Sequence, residues 1–348
     1  MRVSFDGGRL NERGVAVALF DYAFHARQWL GVEPVILHDV ADPPNPDHLR
    51  RFAEAFPTFG YADESERQRL IERERIDVAY VLKTTRRRVE PSKSSRTAVH
   101  EVFRFFQPYG ESYAYISSWL AREMTGGRYP HVPHMVSLPP ARSNLRQTLG
   151  LPKDAFLVGR HGGFDQFNAP FAPRAIEAAL RKRSNLWFAL VNTQRFSDHE
   201  RILHLPATSD RQAIADFVEA CDAGINARRV GETFGLAIAE FLSKDKPVLV
   251  WAGGRDGNHL ELVDDARFVY RTAADLTRKL VALEASAGEG AFAAKVAAFT
   301  PERVMRRFAA TFLQSEPLPR PALPLGFRQK RMAGERWRRW RDAWWSRA

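Results

Sequence analysis

Residues 223–254 read AGINARRVGETFGLAIAEFLSKDKPVLVWAGG, and the pattern of their apolar residues changes twice. The runs AGINA (223–227) and PVLVWAG (247–253) are short and apolar, as buried strands are. Residues 235–244 lie between them and have the composition of a helix. A strand, a helix and a second strand in this order predict a βαβ unit, whose two strands lie parallel in one sheet.

The same alternation runs through most of the chain, in two sets. The first set predicts strands and helices at 1–5, 15–30, 34–38, 64–75, 78–82, 97–103 and 113–117. The second set predicts further elements ahead of the opening stretch, at 156–160, 170–183, 186–191, 202–205 and 209–221. Two successive sets of this kind predict an α/β protein with two Rossmann-like, doubly wound domains.

Prolines indicate the domain boundaries. They cluster between the two sets, at Pro139, Pro140 and Pro152. Four more prolines lie in residues 315–327, which we expect to be extended for that reason. We therefore predict one Rossmann-like domain at 1–150, a second at 151–314, and a Pro-rich linker with a basic amphipathic tail at 315–348.

The overall composition narrows the class of protein. The chain has 348 residues, of which 45% are hydrophobic and 27% charged, as is typical of globular proteins. A single cysteine, Cys221, cannot form an internal disulfide, which fits a reducing compartment, and we expect it to be buried packing. The sequence shows neither an apolar run of membrane-spanning length nor a signal peptide, so it predicts a cytoplasmic location.

More than half of the net charge of +11 lies in the last 22 residues. Residues 327–348 carry eight Arg and Lys against two acids, and Trp337, Trp340 and Trp344 follow helical spacing. One interpretation is a helix on the inner face of an anionic membrane. The other is a helix that packs on the N-terminal domain. Both can hold for different segments, if the helix near 301–313 crosses over to that domain while the tail binds lipid. Tryptophans beside arginines also bind single-stranded nucleic acid, but the enzyme-like α/β pair argues against a nucleic-acid partner.

Glycine-rich turns follow the first strand of each set. Gly7, Gly8 and Gly14 do not match the spacing of the dinucleotide fingerprint, which argues against a nicotinamide enzyme. Such glycines still let backbone N–H groups approach an anion at a helix start. In VGRHGGFD (158–165), Arg160 ends a strand beside Gly162, an arrangement that suits a pyrophosphate. A solvated arginine in an ordinary turn is the alternative.

Two glutamates bracket the helix in the opening stretch. Glu232 lies in the loop after AGINA, Gly235 lies near the helix start, and Glu240 is about one and a half turns further on. N–H groups at a helix start can hold a phosphate, and carboxylates accept hydrogen bonds from hydroxyls, so the pair suits a sugar and a ribose. A capping acid and a surface acid on an ordinary helix remain the alternative.

Taken together, residues 221–263 resemble the signature of retaining glycosyltransferases of the GT-B architecture. In that family an E-x7-E motif follows the fourth strand of the C-terminal domain, and a Lys-Pro-Val strand and a Gly-Gly loop come next, as in KPVLVWAGG (246–254). VGRHGG resembles the opening of the family's donor domain. The resemblance implies transfer of a sugar from a UDP- or GDP-sugar to a saccharide or lipid-linked acceptor, with no cofactor and no metal. His131 and His134, which have no accompanying cysteine or carboxylate cluster, agree with the absence of a metal site.

The resemblance also implies roles in the donor domain (151–314). Glu232 would contact the transferred sugar and Glu240 the ribose hydroxyls. The diphosphate would be held by Arg160 and Gly162 and by the backbone at the helix start, at Phe234, Gly235 and Leu236. The family usually has a lysine five residues after that arginine, where this chain has Asp165. Arg228 or Arg229 would then supply the missing charge.

Two further roles fall in the N-terminal domain, which would take the acceptor. The glycine loop would bring Gly8 to the donor. His100, near the end of the predicted fourth strand, would face the anomeric region of the sugar, with a partly buried structural histidine as the alternative. The product would serve polysaccharide, lipopolysaccharide or glycolipid assembly. A nucleotide-sugar epimerase of the same architecture remains a second functional interpretation.

Overall fold

The computed structural model describes residues 1–8, 10, 14–41, 44–85, 89–314, 316, 321–323 and 326–345. By its contacts the chain divides into two compact units. Unit 1 comprises Met1–Met135 and Phe299–Phe327, and unit 2 comprises Val136–Ala298 and the chain from Arg328 onward. This division differs from the sequence-based boundaries at 150 and 314, because the segment after 298 returns to unit 1 and the tail belongs to unit 2.

Short strands form the centre of each unit. In the described part of the chain they are β1 (Arg2–Asp6), β2 (Glu33–Asp39), β3 (Thr58–Tyr61), β4 (Val78–Lys83), β5 (Arg96–Glu101), β6 (Ser112–Tyr115), β7 (Phe156–Arg160), β8 (Leu186–Val191), β9 (Ile202–Leu205), β10 (Ala223–Asn226), β11 (Gly231–Glu232), β12 (Val248–Trp251), β13 (Asp256–Gly257) and β14 (Val269–Tyr270).

The α-helices follow the same chain order. They are α1 (Gly14–Leu30), α2 (Pro46–Ala55), α3 (Glu64–Arg73), α4 (Ser118–Thr125), α5 (Leu145–Thr148), α6 (Ala172–Lys182), α7 (Arg211–Ala220), α8 (Leu236–Ser243), α9 (Asn258–Val263), α10 (Ala273–Val281), α11 (Ala291–Ala294), α12 (Pro301–Phe308) and α13 (Phe327–Trp345). A π-helical turn at Ala309–Leu313 continues α12.

Each unit contains one parallel sheet of six strands. The order in unit 1 is β3-β2-β1-β4-β5-β6, and the order in unit 2 is β14-β12-β10-β7-β8-β9. Counted along each unit, both are the Rossmann order 3-2-1-4-5-6. A separate two-stranded parallel ladder pairs β11 with β13. The predicted fold class, two Rossmann-like doubly wound α/β domains with a C-terminal helix, is confirmed.

Burial explains why the strands were recognisable. Every residue of VAYVLK (78–83) is buried, as expected for a central strand covered by helices on both faces. Cys221 is also buried, as predicted. β3 was not predicted, since TFGY (58–61) is short, contains a glycine and is only partly buried. His100 therefore lies in the fifth strand of unit 1 and not in the fourth.

Unit 1 is completed by a segment from the far end of the chain. Phe308 of α12 stacks on Tyr22 with 5.6 Å between ring centroids, and it lies 5.0 Å from Tyr80 and 6.1 Å from Phe5. Phe312 lies 5.4 Å from Tyr80. All five rings are fully buried, so residues 299–327 supply part of the core of unit 1, and 301–313 cross back as expected.

The basic tail forms the helix α13. Trp337, Trp340 and Trp344 are 58%, 69% and 62% exposed. The backbone N–H of Gly254, in the loop after β12, donates to Asp342 of this helix at 2.8 Å. Of the predicted Pro-rich linker, residues 315, 317–320, 324 and 325 lie outside the described residues. Within the described ranges, no helix is both long enough and apolar enough to cross a bilayer.

Candidate functional site

The site in unit 2 is built where three neighbouring parallel strands end. β10 pairs with both β7 and β12, so their carboxyl ends lie along one edge of the sheet, where ligands bind in open α/β sheets. The β11–β13 ladder then places Glu232 opposite Gly257. The first residue pair of this ladder, Gly231 with Asp256, requires a glycine at position 231. A Cβ there would lie 1.8 Å from the Asp256 carbonyl oxygen, and φ is +76°.

Glu232 is held by three neighbours, two at its carboxylate and one at its backbone N–H. Its Oε2 accepts from Arg228 Nη1 at 2.6 Å, and its Oε1 accepts from Asn226 Nδ2 at 3.0 Å. Its backbone N–H donates to Nδ1 of buried His259 at 3.2 Å. The other ring nitrogen of His259 donates to the Trp251 carbonyl at 2.8 Å, which fixes the tautomer. The side chain of Glu232 remains 13% exposed.

The start of α8 lies directly after Glu232. Gly235 is the N-cap residue, with φ of +97°, a conformation that favours glycine. Phe234 is buried, and its carbonyl accepts from Asn258 Nδ2 at 2.6 Å, which fixes this turn. Leu236 is the first helical residue. The first N–H groups of a helix have no acceptor within it and carry a partial positive charge, so this turn can face an anion.

Glu240 lies on the same helix and is 2% exposed. Its Oε1 accepts from Arg211 Nη1 at 2.5 Å. His161 Nε2 lies 3.2 Å from its Oε2. Arg211 opens α7 and His161 follows β7, so residues from three elements converge on this carboxylate.

Arg160 ends β7 and is 5% exposed. Its Nη1 donates to the carbonyl of Asn192 at 2.8 Å, to Thr193 Oγ1 at 2.7 Å and to the carbonyl of Val191 at 3.3 Å, and its Nη2 donates to the Gly163 carbonyl at 2.6 Å. Burial lowers the pKa of Arg160 to about 10, and the negative charge of Glu232 opposes that shift. The guanidinium therefore organises the turn at the end of the strand, in addition to any role toward a ligand.

The neighbouring turn contains the other residues predicted for the diphosphate. Gly162 has φ of +139°, and its carbonyl accepts from Asn192 Nδ2 at 2.9 Å. The side chain of Arg229 is exposed, and its backbone N–H donates to Asn168 Oδ1 at 2.7 Å. Asp165, at the position where the resemblance implies a lysine, is exposed. Arg228 and Arg229 were the two arginines expected to supply the positive charge missing at Asp165. Of these two, Arg228 pairs with Glu232.

Gly8 and His100 belong to unit 1. The N–H of Gly8 donates to Asp6 Oδ1 at 2.9 Å, within its own turn. His100 is completely buried, with Tyr80 Oη 2.8 Å from its Nδ1 and the Val132 carbonyl 2.8 Å from its Nε2. Burial lowers the pKa of His100 to about 3. Both ring nitrogens are therefore engaged inside unit 1, which favours the structural alternative for this histidine.

Four residues of the site were not predicted from the sequence: Asn226, His259, Arg211 and His161. Asn226 and His161 stand at or directly after a strand end, which was an available signal. Arg211 and His259 had no such signal, because Arg211 is 29 residues from Glu240 in the sequence and His259 is 27 residues from Glu232. Within the described ranges, no group of three or more His, Cys, Asp or Glu could hold a metal ion.

No family model and no curated protein matches the chain in sequence. Solved structures do match it in fold. A glycosyltransferase of Rickettsia africae has a TM-score of 0.64 and 11% identity, over 89% of this chain and 97% of that one. HepE of Anabaena, in complex with UDP and glucose, has a TM-score of 0.65 and 15% identity, over 89% of this chain and 99% of that one. AviGT4, a glycosyltransferase involved in avilamycin A biosynthesis, has a TM-score of 0.58 and 14% identity, over 89% and 96%. These matches show the shared GT-B type of fold.

Proposed function

We propose that this chain is a glycosyltransferase that transfers a hexose from a nucleotide-diphosphate sugar to an acceptor hydroxyl, with retention of the anomeric configuration. The observation that carries the proposal is the placement of Glu232 and Glu240 on either side of the first turn of α8, at the carboxyl edge of a doubly wound sheet. HepE, a protein of similar fold, is solved with UDP and with UDP-glucose, which supports a UDP-sugar as donor and leaves a GDP-sugar as the alternative.

The charges around the site suit such a donor. Arg160, Arg211 and Arg228 outnumber the two glutamates, so the cluster keeps a net positive charge for an anionic diphosphate. The Glu232 carboxylate then faces the hexose hydroxyls, and Glu240 faces the ribose.

The chain's contribution to the reaction is positioning and neutralisation of charge. The bond between the anomeric carbon and the β-phosphate oxygen breaks, and the acceptor oxygen forms the new bond. Negative charge develops on the departing diphosphate, where the N–H groups at Gly235 and Leu236 and the guanidinium of Arg160 stabilise it. The acceptor proton leaves with the diphosphate, so no protein base is needed. Attack of the acceptor oxygen on the face that the diphosphate leaves retains the configuration without a protein nucleophile. Arg229 and Gly162 line the phosphates in this proposal, and Gly8 keeps the role that the resemblance implies.

Replacing Glu232 tests the assignment. We expect Glu232→Gln to abolish transfer and leave the melting temperature nearly unchanged, because the amide keeps the shape of the side chain. The donor is found first by thermal shift with UDP-, GDP-, ADP- and CMP-sugars, and transfer is then followed with the sugar that stabilises the protein. Glu261→Gln, at an exposed position of α9, is the matched control. Unchanged turnover in Glu232→Gln would refute the role of this residue, and conversion of the donor without an acceptor would favour an epimerase.

The tail supports a second part of the proposal, binding to an anionic membrane. Its three exposed tryptophans form one face of α13, and Arg341 stacks on Trp337 at 5.3 Å and on Trp345 at 4.6 Å. Interfacial helices combine such an aromatic face with basic residues that attract acidic lipid. An acceptor from polysaccharide, lipopolysaccharide or glycolipid assembly would lie at that surface.

Vesicle binding tests the tail. We expect the variant with Trp337, Trp340 and Trp344 replaced by alanine to lose binding to phosphatidylglycerol-containing vesicles and to keep donor binding. Trp29→Ala, which removes a tryptophan that is 48% exposed on α1, is the control. Tight, salt-dependent binding of the intact protein to single-stranded oligonucleotides, with none to vesicles, would overturn the membrane assignment.

A further inference from the structure

The carboxylate of Glu240 is contacted by two basic side chains from different elements. Arg211 Nη1 lies 2.5 Å from its Oε1, and His161 Nε2 lies 3.2 Å from its Oε2. The second terminal nitrogen of Arg211 donates to the Ser137 carbonyl at 3.0 Å. The planar guanidinium therefore bridges Glu240 and a fixed backbone group, which holds the carboxylate in one orientation.

This arrangement leaves hydrogen-bonding capacity at the carboxylate. An ionised carboxylate has about four lone-pair sites on its two oxygens, and Arg211 occupies one of them. His161 is also available, because its Nε2, 3.2 Å from Glu240 Oε2 but without hydrogen-bond geometry, has no hydrogen-bond partner among the described residues although its side chain is only 9% exposed. Buried polar atoms nearly always have a partner, so this nitrogen indicates that a ligand group belongs here.

We propose that Arg211 is a positioning residue for Glu240, and that Glu240 Oε2 and His161 Nε2 together bind the two hydroxyls of the donor's ribose. This inference rests on the proposed function and adds two residues to it. One hydroxyl donates to the carboxylate and the other exchanges a hydrogen bond with the imidazole. Burial lowers the pKa of His161, so the ring is neutral at neutral pH and its two nitrogens can donate and accept.

The test compares nucleotides with and without the ribose hydroxyls by calorimetry. UDP, GDP and ADP are titrated first, and the tightest is compared with its 2′,3′-dideoxy analogue. For the wild-type protein we expect the analogue to bind roughly tenfold to a hundredfold more weakly, as for hydrogen bonds to a charged group. Arg211→Met should weaken the complete nucleotide and leave the analogue nearly unchanged, so that the ratio of the two Kd values falls toward one.

Two further variants separate positioning from general destabilisation. Arg211→Lys should recover only part of the ratio, because an ammonium group cannot bridge Glu240 and the Ser137 carbonyl as the guanidinium does. Arg201→Met is the matched control. Arg201, directly before β9, donates to the backbone carbonyls of Leu180 in α6 and Leu186 at the start of β8, at the amino ends of the strands and away from the site. It should lower stability and keep the wild-type ratio.

If a folded Arg211→Met protein keeps the wild-type ratio of the two Kd values, this inference is overturned but the proposed function is not. If no diphosphate binds the wild-type protein, both the proposed function and this inference fail. If Arg211→Met does not fold, His161→Phe decides the question, because a phenyl ring can keep the contacts with Phe217 and Phe241, at 6.2 and 5.7 Å between centroids. The ratio should fall in that variant, and a wild-type ratio would refute the proposal.

Discussion

Each of the two glutamates of the candidate site lies against an arginine. Without Arg228 and Arg211, Glu232 and Glu240 would repel both one another and an incoming diphosphate. Burying an unpaired carboxylate is also costly, and Glu240 is almost completely buried. The arginines therefore make a pair of acids compatible with an anionic ligand.

His100 is the residue whose predicted role changes most, and a substitution can decide between its two roles. We expect His100→Phe to lower the free energy of unfolding by roughly 2–4 kcal/mol, because the Tyr80 hydroxyl and the Val132 carbonyl each lose a buried partner. Donor affinity of the folded protein should not change. Urea unfolding and calorimetry with UDP measure the two quantities. A variant of full stability that has lost transfer would restore the catalytic role.

Glu101 predicts a pH dependence of stability. Burial raises its pKa from 4.5 to about 7, although Lys83, 3.5 Å away, opposes the shift. The folded state thus binds the proton more tightly than the unfolded state. This contribution to stability is complete below about pH 4.5 and is lost as pH rises through 7, with a slope of at most about 1.4 kcal/mol per pH unit.

We therefore expect Glu101→Gln to be the less pH-sensitive protein between pH 4.5 and 7. Unfolding by urea across this interval, with the wild-type value subtracted at each pH, isolates the contribution of this side chain from those of the buried histidines. Parallel curves for the two proteins would show that Glu101 titrates normally.

At the scale of elements, the short β11–β13 ladder sets the position of Glu232. The ladder can form because Gly231 has no side chain, which allows its backbone to pass close to the Asp256 carbonyl. The rest of the site follows the ends of regular strands, whereas this ladder brings a loop residue to the same edge.

Gly231→Ala should therefore disrupt the ladder and the site together. Its Cβ would overlap the Asp256 carbonyl oxygen, so we expect a loss of at least roughly 2–3 kcal/mol in stability and a loss of UDP binding. Gly150→Ala is the control, since φ there is +65° but, apart from its chain neighbours, no described residue has an atom within 4 Å of the added Cβ. It should cost only about 1–2 kcal/mol of backbone strain and leave binding intact. Equal effects of the two substitutions would disprove the role of the close contact.

The type of element also decides how much of the structure can be predicted from the sequence. Central strands such as β4 were predictable because both faces are buried and Val78–Leu82 form an unbroken apolar and aromatic run ahead of Lys83. Glu232 and Glu240 could be chosen as candidates from the sequence because the loop, the helix start and the spacing of the two residues are local features. β3 could not be predicted, since a half-buried strand has a weak pattern of apolar residues. Neither could the partners Arg211 and His259, since contacts between residues far apart in the sequence leave no local signal.

At the scale of the whole molecule, unit 1 is discontinuous in sequence. Its core contains Phe308 and Phe312, which together contribute roughly 3–6 kcal/mol by burial. A loss of that size is comparable to the entire stability of many domains.

This predicts how fragments of unit 1 behave. Residues 1–135 alone should be unfolded or only partly folded. The same fragment joined to 299–327 by a flexible linker should unfold cooperatively, because the rings of Tyr22 and Tyr80 regain their partners. Circular dichroism during heating compares the two. If 1–135 alone melts at the temperature of the joined fragment, the returning segment is dispensable.

The return of residues 299–327 has a consequence for biosynthesis. On the ribosome, the β-strands of unit 1 emerge first, but their aromatic core stays open until Phe308 and Phe312 have left the exit tunnel. Most of unit 2 is translated in between and can close its own sheet during that interval. The nascent chain would therefore close the sheet of its second unit before the core of its first, contrary to the usual order of folding from the N-terminus, and it would expose apolar surface to chaperones for most of its synthesis.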